Sequence, residues 1–316
     1  MEVEPQHRTF LTNGVRLHAV VAGPEDGPLL ILLHGFPELW YGWRHQIEPL
    51  AAAGFHVIAP DQRGYNRSDK PQGVRAYNLD ALALDVMGLL DALGRQKACI
   101  AAHDWGGAVA WWLGMKHADR IERLAFLNMP HLKVMDRNLW RNPAQRRKST
   151  YIFLFQLPWL PELYLSRDDW KKATRALRST SRPGTFTETD LAIYRAAWSQ
   201  PGAMTAMLNW YRAALRARPR WPPDLRVHVP TLLIWGTQDR FLGVEMAQPS
   251  IDLCDDGRLV LIDEATHWVQ HEEPERVNGL LLEHFGKTLT PGPSPSSHHP
   301  VPGRGETRSS TKEALS

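Results

Sequence analysis

The 316-residue chain is 43% hydrophobic and 22% charged with a net charge of +3, proportions of an ordinary globular domain rather than a disordered, fibrous or membrane-embedded chain. So small a charge leaves no electrostatic footprint for nucleic acid, and the basic runs at Arg137–Lys148 and Arg212–Arg220 read as solvated helix faces. Two cysteines, Cys99 and Cys254, and histidines not at ligand spacing predict neither a disulfide framework nor a metal site, and point to a reducing compartment.

The opening Met-Glu-Val-Glu-Pro-Gln is acidic and lacks the apolar core of a signal peptide. No apolar stretch reaches the ~18 residues of a membrane span. The expectation is a cytoplasmic protein without a membrane span, as a monomer or homodimer. Phe10 to Val21 predicts a hairpin turning at Asn13-Gly14. Leu29 to Leu33 is a continuous apolar run, as in a strand covered on both faces, and it ends in His34-Gly35-Phe36-Pro37-Glu38. A helical pattern runs from Trp40 to Ala53, and a strand from Phe55 to Ala59 ends in Pro60-Asp61-Gln62-Arg63-Gly64-Tyr65. An amphipathic helix over Leu79 to Leu93 stops at Gly94. Cys99 to Ala102 then predicts a strand, a helix follows from Ala108, and Arg123 to Leu127 gives another strand. This alternation predicts a mostly parallel α/β sheet.

From Asn128 the rhythm changes. Helical patterns at Gln145–Phe155, Asp168–Ser179, Thr187–Trp198 and Ala203–Ala217 follow one another without a buried strand. Strand character returns at Leu232–Trp235 and Leu259–Ile262, and a last helix covers Pro274–Phe285. The prediction is one core (1–130 plus 231–290) carrying a helical cap (131–230). A cap inserted there lies over the carboxyl edge of the sheet, where open α/β folds bind ligands. The polar, proline-rich residues 291–316 are expected to be a disordered tail. Many of the 13 tryptophans fall between Trp140 and Trp221, a density that core packing accounts for.

The chemistry concentrates at Ala102-His103-Asp104-Trp105-Gly106-Gly107. Small residues surround Asp104 at a tight strand-to-helix turn, the pattern of a nucleophile elbow with aspartate in place of serine. Taken alone, the stretch also fits a turn with a helix-capping aspartate. Two later segments favour the elbow. Asp239 follows one strand and His267 follows the next, giving nucleophile, acid and histidine in the order this architecture requires. The N–H groups of Phe36 and Trp105 then fall where an oxyanion hole is needed. Gly35 permits close approach, Pro37 fixes the loop, and a cis Phe36-Pro37 bond is expected. His34 is expected to hold structure rather than act as a second base.

These motifs, together with Ser68-Asp69-Lys70-Pro71, resemble those of α/β-hydrolase-fold epoxide hydrolases from about Arg8 to Phe285. Tyr151-Ile152-Phe153-Leu154-Phe155-Gln156 and Asn209-Trp210-Tyr211-Arg212 are similar to the two lid motifs of that family. The resemblance implies that Tyr151 and Tyr211 point at the oxygen of an epoxide, that Asp104 forms an ester with the opened ring, and that His267, oriented by Asp239, activates the water that cleaves it. It implies a small-molecule epoxide substrate, a vicinal diol product and no cofactor. Trp40, Phe186 and Trp268, with Phe36, are candidate pocket walls. A haloalkane dehalogenase would use the same triad but needs halide donors. Trp105 offers one, while asparagine, the usual second donor, is replaced by Phe36. A non-catalytic small-molecule-binding member of the fold is the alternative outside enzymes.

Overall fold

The computed structural model describes residues 5–288; the predicted tail lies outside them. β1 (Gln6–Thr12) and β2 (Val15–Ala22) form the expected hairpin. Asn13 and Gly14 take φ of 43° and 74°, the left-handed pair a two-residue turn demands. β3 (Leu29–Leu33), β4 (His56–Pro60), β5 (Ala98–His103), β6 (Ile121–Leu127), β7 (Thr231–Gly236) and β8 (Gly257–Ile262) complete one eight-stranded sheet in the order β1-β2-β4-β3-β5-β6-β7-β8. β2 pairs antiparallel to both β1 and β4, and every later pairing is parallel.

The uninterrupted apolar strands follow from burial on two faces. Leu30 and Leu32 of β3 join one apolar cluster, whereas Leu29, Ile31 and Leu33 join the other. α1 (Arg44–Ala52) and α12 (Pro274–Phe285) close the first face with Ile47, Leu50, Leu281 and Phe285. α2 (Leu79–Ala92) and α3 (Trp105–Lys116) cover the second with Val86, Leu90, Val109 and Trp112. Asn78 caps α2 through the Ala81 N–H at 2.9 Å.

After β6 the chain leaves the sheet and returns only at β7. Between them lie α4 (Leu132–Arg141), α5 (Pro143–Lys148), α6 (Thr150–Leu154), α7 (Leu160–Thr180), α8 (Glu188–Trp198) and α9 (Ala203–Arg216). The single helix expected over Gln145–Phe155 is two, α5 and α6. Asn142 and Pro143 start the first, and Ser149, bonded to the Gln145 amide at 2.9 Å, divides them. α7 begins before the expected Asp168 and bends there, because Asp168, Asp169 and Trp170 take φ of 53°, 51° and 62°. The pattern from Trp40 likewise divides, a 3-10 turn over Trp40–Trp43 preceding α1. α10 (Ala247–Ile251) and α11 (Val269–Glu272) are short helices beyond β7 and β8. No helix among the described residues is long and apolar enough to cross a membrane.

Candidate active site

Asp104 stands between β5 and α3 with φ 46° and ψ −122°, a conformation a non-glycine residue adopts only under the constraint of its surroundings. The neighbouring glycines make the turn feasible. A Cβ on Gly35 would lie 2.4 Å from the Cβ of Asp104, and one on Gly106 would lie 2.3 Å from the Leu33 carbonyl oxygen. The strained turn lifts the Asp104 carboxylate above the sheet edge with the residue only 9% exposed.

The loops after β7 and β8 bring Asp239 and His267 to the same edge. Nδ1 of His267 lies 2.7 Å from Oδ2 of Asp239. On the other side, Nε2 lies 3.6 Å from Oδ2 of Asp104, too long for a direct hydrogen bond and open to a bridging water. The N–H groups of Phe241 and Leu242 donate to Asp239 Oδ1 at 2.7 and 2.9 Å. Burial works against a charged imidazole at position 267. The carboxylates of Asp239, Asp104 and Glu38 outweigh it and raise the pKa to about 9. Burial would likewise push the Asp239 carboxyl up, but His267 and the donors around it hold it below its ordinary value.

The backbone N–H of Phe36 donates to Asp104 Oδ1 at 2.8 Å. Trp105 is the first residue of α3, so its N–H has no acceptor within the helix ladder. The Phe36-Pro37 bond is cis. Nε2 of His34 accepts from the Gln62 N–H at 3.1 Å, and its Nδ1 faces the Gly35 carbonyl at 3.0 Å. With both nitrogens committed and burial lowering its pKa, His34 stays a neutral support of the loop.

Three supporting residues were given no role of their own in the sequence reading. Asn128, at φ 45° after β6, donates to Asp239 Oδ2 at 2.8 Å and accepts from the Gly236 N–H at 2.8 Å. His103, just before the elbow, meets the His267 carbonyl at 2.9 Å through Nε2 and Glu38 Oε2 at 3.2 Å through Nδ1. Both ring nitrogens of His103 therefore face acceptors. Glu38 is wholly buried and also receives Tyr194 Oη at 2.7 Å, the Gln270 amide at 3.1 Å and His271 Nε2 at 2.7 Å. Burial alone would raise its pKa, but His271 and His103 hold it well below the carboxylate range. Glu38 belongs to the quoted His-Gly-Phe-Pro-Glu stretch, and its place after the cis proline was the one available clue.

Two cavities, of about 160 and 190 Å³, flank the nucleophile, and Asp104, Tyr151 and Tyr211 are the residues their linings share. The first extends past Trp105, Met129 and Leu132 toward Trp221. The second is walled by Phe36, Leu177, Phe241, His267 and Trp268. Tyr151 on α6 and Tyr211 on α9 meet edge to face with ring centroids 5.9 Å apart, and Tyr211 packs in the same way on Trp105 and Phe36. Burial, and the negative charge of Asp104 with it, raises the pKa of both phenols above the ordinary tyrosine value. Both therefore remain hydrogen-bond donors at any working pH. Trp40 and Phe186 line neither cavity, contrary to expectation. The Trp40 ring packs on His7 and Tyr41, while its backbone N–H donates to Asp61 Oδ1 at 3.0 Å. Phe186 sits behind Trp268, ring centroids 5.5 Å apart.

Residues 28–274 match the model of the alpha/beta hydrolase fold family. The chain is 48% identical over 274 residues to the AB hydrolase superfamily protein YfhM of Bacillus subtilis, covering 87% of this chain and 96% of that one. It is 39% identical over 278 residues to Epoxide hydrolase 4 of Mus musculus, covering 85% and 76% respectively. The crystal structure of the Bacillus megaterium epoxide hydrolase in complex with an inhibitor superposes with a TM-score of 0.80 at 30% identity, covering 88% of this chain and all of that one (100%). The chain belongs to the α/β-hydrolase family, in the branch that holds the epoxide hydrolases.

Proposed function

We propose that the protein hydrolyses an epoxide to a vicinal diol through a covalent ester on Asp104, beneath a cap formed by the helices between β6 and β7. The observation that carries this reading is that a carboxylate on a strained elbow and two tyrosines are what both cavities have in common. A ring lodged at that junction has a nucleophile on one side and two O–H donors on the other.

In the first step Oδ2 of Asp104 attacks a ring carbon in line with the breaking C–O bond, while Oδ1 stays on the Phe36 N–H. The departing oxygen becomes an alkoxide, which the hydroxyls of Tyr151 and Tyr211 stabilise and protonate. In the second step a water between His267 and Asp104 gives a proton to Nε2 and attacks Cγ of the ester. Oδ1, already in its hole, carries the developing charge, and Asp239 stabilises the imidazolium. Collapse of this intermediate expels the ester oxygen, which takes the imidazolium proton and leaves as the diol, and the acid proton left on Asp104 returns to the tyrosine that gave its own, which restores the carboxylate. Esterification also neutralises the carboxylate 3.6 Å from Nε2. That removes one of the charges raising the imidazole pKa and shifts His267 toward the free base that the second step needs.

Three of the tryptophans between β6 and β7 are withdrawn as halide donors, which favours an epoxide. Trp170, Trp198 and Trp210 donate their indole N–H to Ser199 Oγ, the Pro37 carbonyl and the Arg63 carbonyl at 2.7, 2.6 and 3.0 Å. They are thus committed elsewhere, and Phe36 offers a leaving halide no side-chain donor. The deciding experiment is a single turnover with enzyme in excess in heavy-oxygen water, using styrene oxide. Water attacks Cγ, so the label is expected in Asp104 and the first diol leaves with an oxygen from the carboxylate. Label entering the diol directly overturns the ester route.

A further inference from the structure

Twelve large apolar side chains are exposed among the described residues, and six of them fall within 154–164: Leu154, Leu157, Trp159, Leu160, Leu163 and Tyr164, at 44–65% exposure. Scattered singly such residues mean little, but a contiguous group marks a surface that meets something apolar. Trp159 enters α7 in the left-handed region at φ 52° and is the most exposed of the six at 65%. Leu160, Leu163 and Tyr164 follow at helical spacing on one outward face. Leu165 turns inward to line the cavity that contains His267. The first turns of α7 are therefore apolar outside as well as inside, which a solvated surface helix is not.

The segment is also held firmly from beneath. Arg212, itself buried, donates to the carbonyls of Phe155 and Leu157 at 3.0 and 2.7 Å and pairs with Glu162 at 2.8 Å. The charges flanking the stripe are mainly positive. Arg141, Arg146 and Arg147 precede it, Lys171, Lys172 and Arg175 follow it, and all are exposed, against Asp168 and Asp169. The Lys172 ammonium lies 5.5 Å from the centre of the Tyr164 ring, with cation and apolar side chain presented together.

We propose that this face docks the protein on an anionic phospholipid bilayer. Exposed Trp and Leu enter the acyl boundary while flanking Lys and Arg meet the headgroups, the arrangement of a helix lying in a membrane interface. A second copy of the chain related by a two-fold axis would set the same cations against one another, whereas an anionic surface supplies their counter-charge. Docked in this way, α7 places the active-site cavity one helix diameter, ~10 Å, from the lipid.

The test is flotation of the full chain with vesicles of equal phosphatidylglycerol and phosphatidylcholine, with vesicles of phosphatidylcholine alone, and without vesicles. The protein is expected to float with the anionic vesicles and to be released by high salt. Trp159→Ser with Leu163→Ser, and separately Lys171→Glu with Lys172→Glu, should each lower the bound fraction at least tenfold at an unchanged melting temperature. The charge-reversal pair leaves the apolar face intact, so it decides the matter even if the serine pair folds poorly. Wild-type protein that stays at the bottom, equal flotation with both vesicle types, or binding unaffected by either pair overturns the proposal. So does sedimentation as a dimer that Trp159→Ser dissociates, which would assign the face to contact between copies.

Discussion

In the proposed mechanism His267 is two things in turn. In the resting site it lies between two carboxylates, 2.7 Å from Asp239 and 3.6 Å from Asp104, and its pKa of about 9 keeps it charged at neutral pH. Only when Asp104 is esterified does one of those charges disappear. Replacing His267 with glutamine should leave ring opening intact and halt the second step. Intact-mass measurement of His267→Gln after incubation with styrene oxide is expected to show the protein heavier by one whole substrate, since opening the ring expels nothing. An unmodified mass, under conditions where wild type turns over, removes His267 from that role. The meeting of this residue with Asp104 and Asp239 was legible because each follows a strand and their types and order match the elbow pattern. Asn128 was not: one asparagine after a strand looks like any turn, and only the fold shows its amide holding Asp239. Trp40 misled for the opposite reason, since an aromatic near a loop suggests a wall, while its ring packs on His7 and Tyr41 instead.

At the scale of elements, the two tyrosines depend on helices that reach the site from different parts of the chain. Tyr211 rides on α9, whose whole middle is buried, and Tyr151 on the five-residue α6. Gln156, just past α6, donates to the Tyr211 carbonyl at 3.0 Å and ties the two together. Tyr151→Phe combined with Tyr211→Phe should lower the rate of ester formation by ~10²–10⁴, the range of a lost general acid, at an unchanged melting temperature. Stopped-flow tryptophan fluorescence during alkylation measures it, and a near-normal rate would exclude the tyrosines. Strands were easy to read in the sequence because burial on both faces leaves continuous apolar runs. The helices of the insert were read less well. α4 and α5 are short and polar outside, and the bend in α7 comes from left-handed residues no propensity anticipates.

For the whole molecule, Glu38 is a meeting point. It receives hydrogen bonds from residues on β5, α8 and α11, and Trp198 of α8 donates to the adjacent Pro37 carbonyl at 2.6 Å. Sheet, insert and the C-terminal helices thus converge on a single buried carboxylate. Its pKa lies well below the ordinary glutamate value of about 4.5. It therefore adds stability that is present above about pH 4.5 and lost as the pH falls through the lower folded-state value. Glu38→Gln should lower the melting temperature at pH 7, by an amount equivalent to ~3–5 kcal/mol for a broken buried pair. The gap between variant and wild type should narrow on acidification. Calorimetric scans at pH 7 and at steps from pH 4.5 down to pH 2.5 measure it, and a gap unchanged below pH 4.5 would mean that the charge is not what stabilises the fold.

The pair of nearly equal cavities has a consequence for stereochemistry. For a ring with unlike substituents on its two carbons, the arm each substituent enters decides which carbon faces Asp104. The two mirror-image forms of a trans epoxide can lodge with their arms exchanged, so that each is opened at the opposite carbon. Displacement inverts the carbon that is attacked, and the two routes then lead to the same diol. A site with its nucleophile at the join of two similar apolar arms can thus turn a racemate into a single handed product.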